Sequence, residues 1–189
     1  RAGAAMLDVG GVSTRPGSEA TTEQVELDRV IPVVECLAGE VDVPISIDTF
    51  RATVFERAFD VGAAILNDVT ALDDERMIPV LRETGAPAIL MHMQGEPRSM
   101  QADPAYEDVV RDVADALKAA ADRAIAGGVE ADRIVLDPGI GFGKTLEHNL
   151  ELLRRIDVLD RLGLPILVGT SRKSFLGKIL ERSEPKKRE

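Results

Sequence analysis

Apolar residues along this chain fall into six short runs, each of which ends at a polar cluster. The runs cover residues 5–9, 44–48, 63–67, 87–91, 133–137 and 165–169. Runs of four to six apolar, often β-branched residues predict buried strands. Between them the apolar positions switch to a spacing of three and four, which predicts helices. Val30, Ile31, Val34 and Leu37 share a face over 22–37, and Val54, Phe55, Ala58 and Phe59 over 50–61. Met77, Val80 and Leu81 mark a helix over 74–83, and Leu150, Leu153, Ile156 and Leu159 another over 146–162. The longest helix is expected over 104–126, with Asp103 as N-cap, Pro104 in the first turn and a stripe of Val110, Val113, Leu117, Ala120 or Ala121, and Ala124. A last helix is expected from about 173 to 180.

Strands that are continuously apolar, alternating with helices, predict a parallel sheet covered by helices. In an open doubly wound sheet the ligand residues gather in one or two loops at a crossover. Here a polar cluster follows every strand, which is what a closed barrel gives, with its site built from all the loops at one rim. The expected fold is α/β, a TIM (β/α)8 barrel represented by about six βα units, with residues 1–189 as one domain. A full barrel of this kind runs to about 250 residues. The chain starts with Arg1 almost in a strand, and its charged end, 181–189, has no closing strand. The expectation is therefore a barrel truncated by one strand at each end, leaving one gap with unpaired edges.

The 189 residues are 44% apolar, with five Phe, one Tyr and no Trp, so the core has to be aliphatic. A net charge of −10 argues against nucleic-acid and anionic-membrane partners, though a few Arg and Lys can still make a local anion site. No run approaches the length of a membrane span. The lone Cys36 permits no internal disulfide, fits a cytoplasmic setting, and reads as a packed core thiol.

The chemistry lies in the clusters. Residues 10–17 are Gly-rich and carry Ser13, Thr14, Arg15 and Pro16 without P-loop spacing. They make either a lid that pairs Arg15 with a phosphate or an ordinary loop. Asp48, Asn67 and Asp137 each end a strand. A carboxylate at such a rim is costly unless paired or bound. Each could cap a neighbouring helix, but two carboxylates and an amide together suit a heterocycle rich in N–H donors. Phe142, among Gly139, Gly141 and Gly143, could stack on a planar ring, while Lys144 adds charge or faces solvent. Arg172 and Lys173 precede the last helix, where a basic pair makes sense if an anion or ring carbonyl stands before it. His92 touches a ligand or holds its loop, and His148 is a surface or capping residue. Two distant histidines and one cysteine give no zinc-type cluster, and no Ser-His-Asp set is legible.

The segments at 7–17 (LDVGGVSTRPG), 46–49 (SIDT), 67–69 (NDV), 136–144 (LDPGIGFGK) and 169–177 (GTSRKSFLG) resemble, in order and spacing, those of the dihydropteroate synthases, the folate-pathway targets of sulfonamides. The resemblance implies a pterin-binding barrel that condenses 6-hydroxymethyl-7,8-dihydropterin pyrophosphate with 4-aminobenzoate. It implies Asp48, Asn67, Asp137 and Lys173 as the pterin hydrogen-bonding set, with Met91 and Gly169 lining the pocket and Phe142 and Lys144 beside it. Ser171 and Arg172 would neighbour the aminobenzoate carboxylate, and Thr14, Arg15 and Pro16 the pyrophosphate. Thr14, Arg15, Asp48 and Lys173 are the candidates for catalysis. It also implies Mg2+ on the pyrophosphate, held by an asparagine in a segment ahead of Arg1, and a homodimer. Two alternatives stand beside it. One is a methyltetrahydrofolate-binding corrinoid methyltransferase domain, the other a non-catalytic pterin-binding fragment.

Overall fold

The computed structural model describes residues 3–13, 21–95, 99–181 and 184. Five strands, β1 (Leu7–Gly10), β2 (Ile45–Asp48), β3 (Ile65–Asp68), β4 (Ala88–Met91) and β5 (Ile134–Asp137), pair in parallel in the order β1-β2-β3-β4-β5. A strand order that never reverses is the topology of a barrel wall and has no crossover point. Helices α1 (Glu23–Ala38), α2 (Ala52–Asp60), α3 (Met77–Thr84) and α4 (Val109–Ala126) return the chain between successive strands. After β5 come α5 (Leu146–Arg154), α6 (Ile156–Asp160) and α7 (Ser174–Ile179).

The register decides what each strand contributes. Paired partners in a parallel sheet point to the same side, and side chains alternate along a strand. Ile45, Ile47, Leu66, Ala88, Leu90, Ile134 and Leu136 therefore share one face. All seven are buried in the core with Val30, Val34, Phe55, Met77, Leu81, Leu117 and Leu152 from the helices. Apart from Ala88, each such side chain contributes roughly 1.5–3 kcal/mol when fully buried. The opposite face carries Asp8, Gly10, Ser46, Asp48, Asn67, Met91 and Asp137.

Four sequence expectations change. The longest helix starts at Val109, where Asp108 accepts from the N–H groups of Val110 and Arg111 at 3.0 and 3.2 Å. Residues 104–108 are drawn away instead: Gln94 bonds both main-chain groups of Ala105, and the Tyr106 hydroxyl donates to Gly143 O at 2.8 Å. These tertiary bonds outweigh the Asp103-Pro104 start signal. The helix expected over 146–162 breaks at Arg155 into α5 and α6, a change of direction that keeps both Leu152 and Leu159 buried. Segment 165–169 lies parallel to β5 through a single bridge, Leu136 to Ile166, and is not a full strand. Pro165 has no N–H to extend a ladder, and Val168 beyond the bridge is exposed. Cys36 is exposed on α1, its Sγ 3.6 Å from Glu40 Oε1, because the helix buries Val30 and Val34 instead. His148 does cap, in a reciprocal capping box with Thr145 at the start of α5.

Two buried carboxylates steady the loops above β2 and β3. Glu26 of α1, wholly buried, accepts from Thr49 Oγ1 at 2.7 Å and pairs with Arg51, which also donates to Thr21 O. Asp68, wholly buried on the helix side of β3, accepts from Thr70 N, Thr70 Oγ1 and Leu72 N at 2.8–3.0 Å. Burial raises its carboxyl above the usual range, and the Thr70 and Leu72 bonds pull it back.

Removing one partner of a buried pair strands the other as an uncompensated charge, which costs about 3–5 kcal/mol. Arg51→Met is expected to lose that much unfolding free energy in urea, and Arg51→Met with Glu26→Gln to regain most of it. An equal loss in both variants would contradict the pairing.

Candidate active site

The site grows from the polar face of the sheet, at the C-terminal strand ends. Asp8 sits beside Ser46 in the β1–β2 register, and Asp48 beside Asn67 in the β2–β3 register. Ser46, fully buried, donates its hydroxyl to Asp8 Oδ1. Asn67 turns its Nδ2 to the same carboxylate, at 3.2 and 3.3 Å from the two oxygens. The Asp8 oxygens accept, so this contact turns the Nδ2 end of the Asn67 amide toward β1. The Gly10 backbone approaches Asp48 closely: a Cβ there would stand 3.2 Å from Asp48 Cβ. Burial, reinforced by the charges of Asp8, Glu26 and Asp68, pushes the Asp48 carboxyl up to about 7. This half of the rim is therefore an acceptor-rich surface with one carboxyl close to half-protonated at neutral pH.

The other half belongs to β5 and the loops after β4 and β5. Met91, buried, pairs with Asp137. Asp137 accepts from Gly139 N at 2.7 Å. Burial raises its carboxyl, while that N–H and the Lys173 and Lys144 ammonium groups act against the rise. Gly139 has φ +65, and a Cβ on it would lie 1.9 Å from His92 O, so only glycine fits where the two loops touch. Lys173 stands at the start of α7, its Nζ 4.1 Å from the centroid of the Phe142 ring. Burial lowers its ammonium and Asp137 restores part of the shift. Asp137, Lys173 and Phe142 thus form a carboxylate, an ammonium and an aromatic face at one place.

Lys144 does not face solvent. It is buried and donates to Phe142 O at 2.9 Å and His92 O at 3.4 Å, with its Nζ 3.0 Å from His92 Nδ1. Burial lowers it to about 7, and burial beside Lys144 takes His92 down to about 3, so that imidazole is neutral. Gly169 is half-buried, and Ser171 and Arg172 are exposed. Arg172 has a left-handed φ of 56, rare for a residue with a Cβ. Thr14, Arg15 and Pro16 lie outside the described residues.

Asp48, Asn67, Met91 and Asp137 share one face, with Lys173, Phe142 and Lys144 grouped at the Asp137 end. Sequence reading missed Asp8 and Ser46. Both have the alternation parity of Asp48, and that period of two was the available signal; Asp8 interrupts its run in the middle rather than at its end. Among the described residues, no three or more His, Cys, Asp and Glu side chains gather to hold a metal ion.

A carboxyl whose folded pKa stands above its unfolded value favours folding while protonated, and that contribution is lost as pH rises through about 7. Asp48→Asn is expected to stabilise the protein by a few kcal/mol at pH 8, at ~1.4 kcal/mol per pKa unit, and by little near pH 4. Urea unfolding at the two pH values checks this, and a gain of equal size at both would contradict it.

The comparisons with known proteins point to one family. The family profile described as pterin binding enzyme matches residues 1–189. A dihydropteroate synthase of Synechocystis sp. is 46% identical over 187 residues, 98% of this chain and 65% of that protein. The chain spans 64–66% of the length of the first curated relatives it matches. The Yersinia pestis dihydropteroate synthase, solved with a sulfonamide drug complex, superposes with a TM-score of 0.94 at 44% identity, covering 98% of this chain and 67% of that one. The Xanthomonas albilineans enzyme in complex with 7,8-dihydropteroate superposes at 0.88 with 36% identity, covering 98% of this chain and 65% of that one.

Proposed function

The chain belongs to the pterin-binding enzyme family, and we propose that it carries the pterin site of a dihydropteroate synthase. The reaction joins 6-hydroxymethyl-7,8-dihydropterin pyrophosphate to 4-aminobenzoate, giving 7,8-dihydropteroate and pyrophosphate in folate synthesis. One observation carries this reading: Asp48, Asn67 and Asp137 project from one face of the sheet, with Lys173 beside Asp137.

In this reading Asp137 accepts from the ring N–H and 2-amino group, and Lys173 donates to the ring. Asp48 and Asn67 meet the remaining polar edge, with Asn67 held at a fixed angle by Asp8. Met91 and Gly169 line the pocket, and the Phe142 ring lies beside it. Thr14, Arg15 and Pro16 serve the pyrophosphate, and Ser171 and Arg172 the aminobenzoate carboxylate. Mg2+ arrives with the pyrophosphate as part of the substrate. The C–O bond to pyrophosphate breaks at the exocyclic methylene, leaving a cation that the pterin ring delocalises. The arylamine lone pair, already free, then forms the C–N bond and the amine loses a proton. No strong general base is required. Catalysis rests on alignment of the two substrates and on electrostatic support of the leaving group. A cytoplasmic setting, which the single cysteine suits, and a homodimer, which the family resemblance implies, belong to the same proposal.

The test is incorporation of radiolabelled 4-aminobenzoate into dihydropteroate, with pyrophosphate release measured alongside. Stoichiometric formation of both products supports the reading. Methyltetrahydrofolate binding without incorporation supports the corrinoid methyltransferase instead, and pterin binding with no pyrophosphate release supports a non-catalytic binder. Asp137→Asn replaces an ionic acceptor by an amide. It is expected to weaken pterin binding roughly 10- to 100-fold, the worth of a hydrogen bond to a charged group, read by calorimetry. Unchanged affinity would remove Asp137 from the site.

A further inference from the structure

Lys144 presents a puzzle of its own. It is 3% exposed, and taking an ammonium group out of water costs several kcal/mol. That cost has to be offset by the polar groups around it, so packing alone does not call for a lysine here. Its Nζ lies within hydrogen-bonding distance of three protein groups: Phe142 O at 2.9 Å, His92 O at 3.4 Å and the His92 ring at Nδ1, 3.0 Å away. All three partners belong to the protein, so the amine is already engaged within the two loops.

Those contacts tie two loops together. The loop over 138–144 lies directly on the segment after β4, with a Cβ on Gly143 falling 2.5 Å from Gln94 O. Gln101 donates to Gly141 O at 2.6 Å, and Asn149 Oδ1 accepts from Gly141 N at 2.6 Å. Lys144 is the contact that holds the Phe142 carbonyl itself. The ring of the same residue lies under the Lys173 ammonium, whose stem runs past Gly141, 3.2 Å from where a Cβ would stand. The order of contacts is His92, Lys144, Phe142, Lys173.

We infer that Lys144 is a positioning residue. By fixing the Phe142 carbonyl against the His92 segment it sets the Phe142 ring, and through it the Lys173 ammonium, without touching the ligand. The inference rests on the pterin reading for the identity of that ligand and on nothing else in it. It replaces direct substrate binding as the role of this lysine.

A double-variant cycle separates positioning from general packing. Lys144→Met is expected to weaken binding of pteroic acid, read by calorimetry, roughly tenfold in the otherwise unchanged protein. In the Phe142→Ala background the same change should cost less than about threefold, because the link it acts through is gone. Equal factors in both backgrounds, or no loss in the first, overturn the inference. Lys144→Gln keeps one donor for Phe142 O and serves as the second variant if the methionine form does not fold; an intermediate loss is expected, and none overturns the inference. Amide hydrogen exchange needs no ligand. In Lys144→Met the N–H groups of Gly141 and Phe142 should exchange faster while those of β2 stay unchanged, and unaltered exchange at both overturns the inference. Should the unsubstituted protein bind no pteroic acid, the functional reading falls, and the exchange measurement then decides on Lys144 alone.

Discussion

Everything in this protein depends on one constraint, the in-register parallel pairing of five strands. Because side chains alternate with a period of two, a register fixed at any one pair fixes the facing of every residue in the sheet. Ile45, Ile47, Leu66, Leu90 and Leu136 go to the helices, and Asp8, Ser46, Asp48, Asn67, Met91 and Asp137 to the other side. A slip of one residue in β2 would put Asp48 into the apolar layer and Ile47 into the site. The buried helix layer therefore selects the register, and the register assembles the site. Neighbouring strands lie about 4.8 Å apart, so β1 and β5 would stand about 19 Å apart in a flat sheet. One bicyclic ring does not span that. The inward curve of a barrel wall, the fold of the structural relatives, is what the proposed site needs for both halves of the rim to face a single ligand.

The electrostatics follow from that geometry. Burial raises Asp48 and Asp137 above their ordinary range, and at Asp48 the charges of Asp8, Glu26 and Asp68 add to the rise. Around Asp137 the chain offsets it with Lys173, Lys144 and the Gly139 N–H. Around Asp48 the neighbours are other carboxylates, and the balance is left to protonation. A ligand rich in N–H donors would relieve both, which is the physical sense of the pterin assignment.

Much of this was legible in the sequence. Five of six strands, the helix order and the facing of Asp48, Asn67 and Asp137 follow from short apolar runs broken by polar ends. Those signals are local, and they survive folding because the core needs them. What was not legible came from contacts distant in sequence. Asp103-Pro104 reads as a helix start, yet the bonds of Gln94 and Tyr106 hold the following residues outside the helix. The sequence leaves open whether Lys144 adds charge to the site or faces solvent, and only the approach of the His92 segment to the glycine loop shows it enclosed. Asp8 is visible only once β1 and β2 are in register. Cys36 misled because an apolar neighbourhood in sequence is not a buried face of a helix.

The most direct test of a single shared site is a crystal structure of the protein grown with pteroic acid. One pteridine ring should lie within hydrogen-bonding distance of Asp137 and Asn67, with Asp48 along its edge and the Lys173 ammonium on its carbonyl side. A ring bound away from this face, or Asp48 and Asp137 turned to opposite sides of the sheet, would contradict the account.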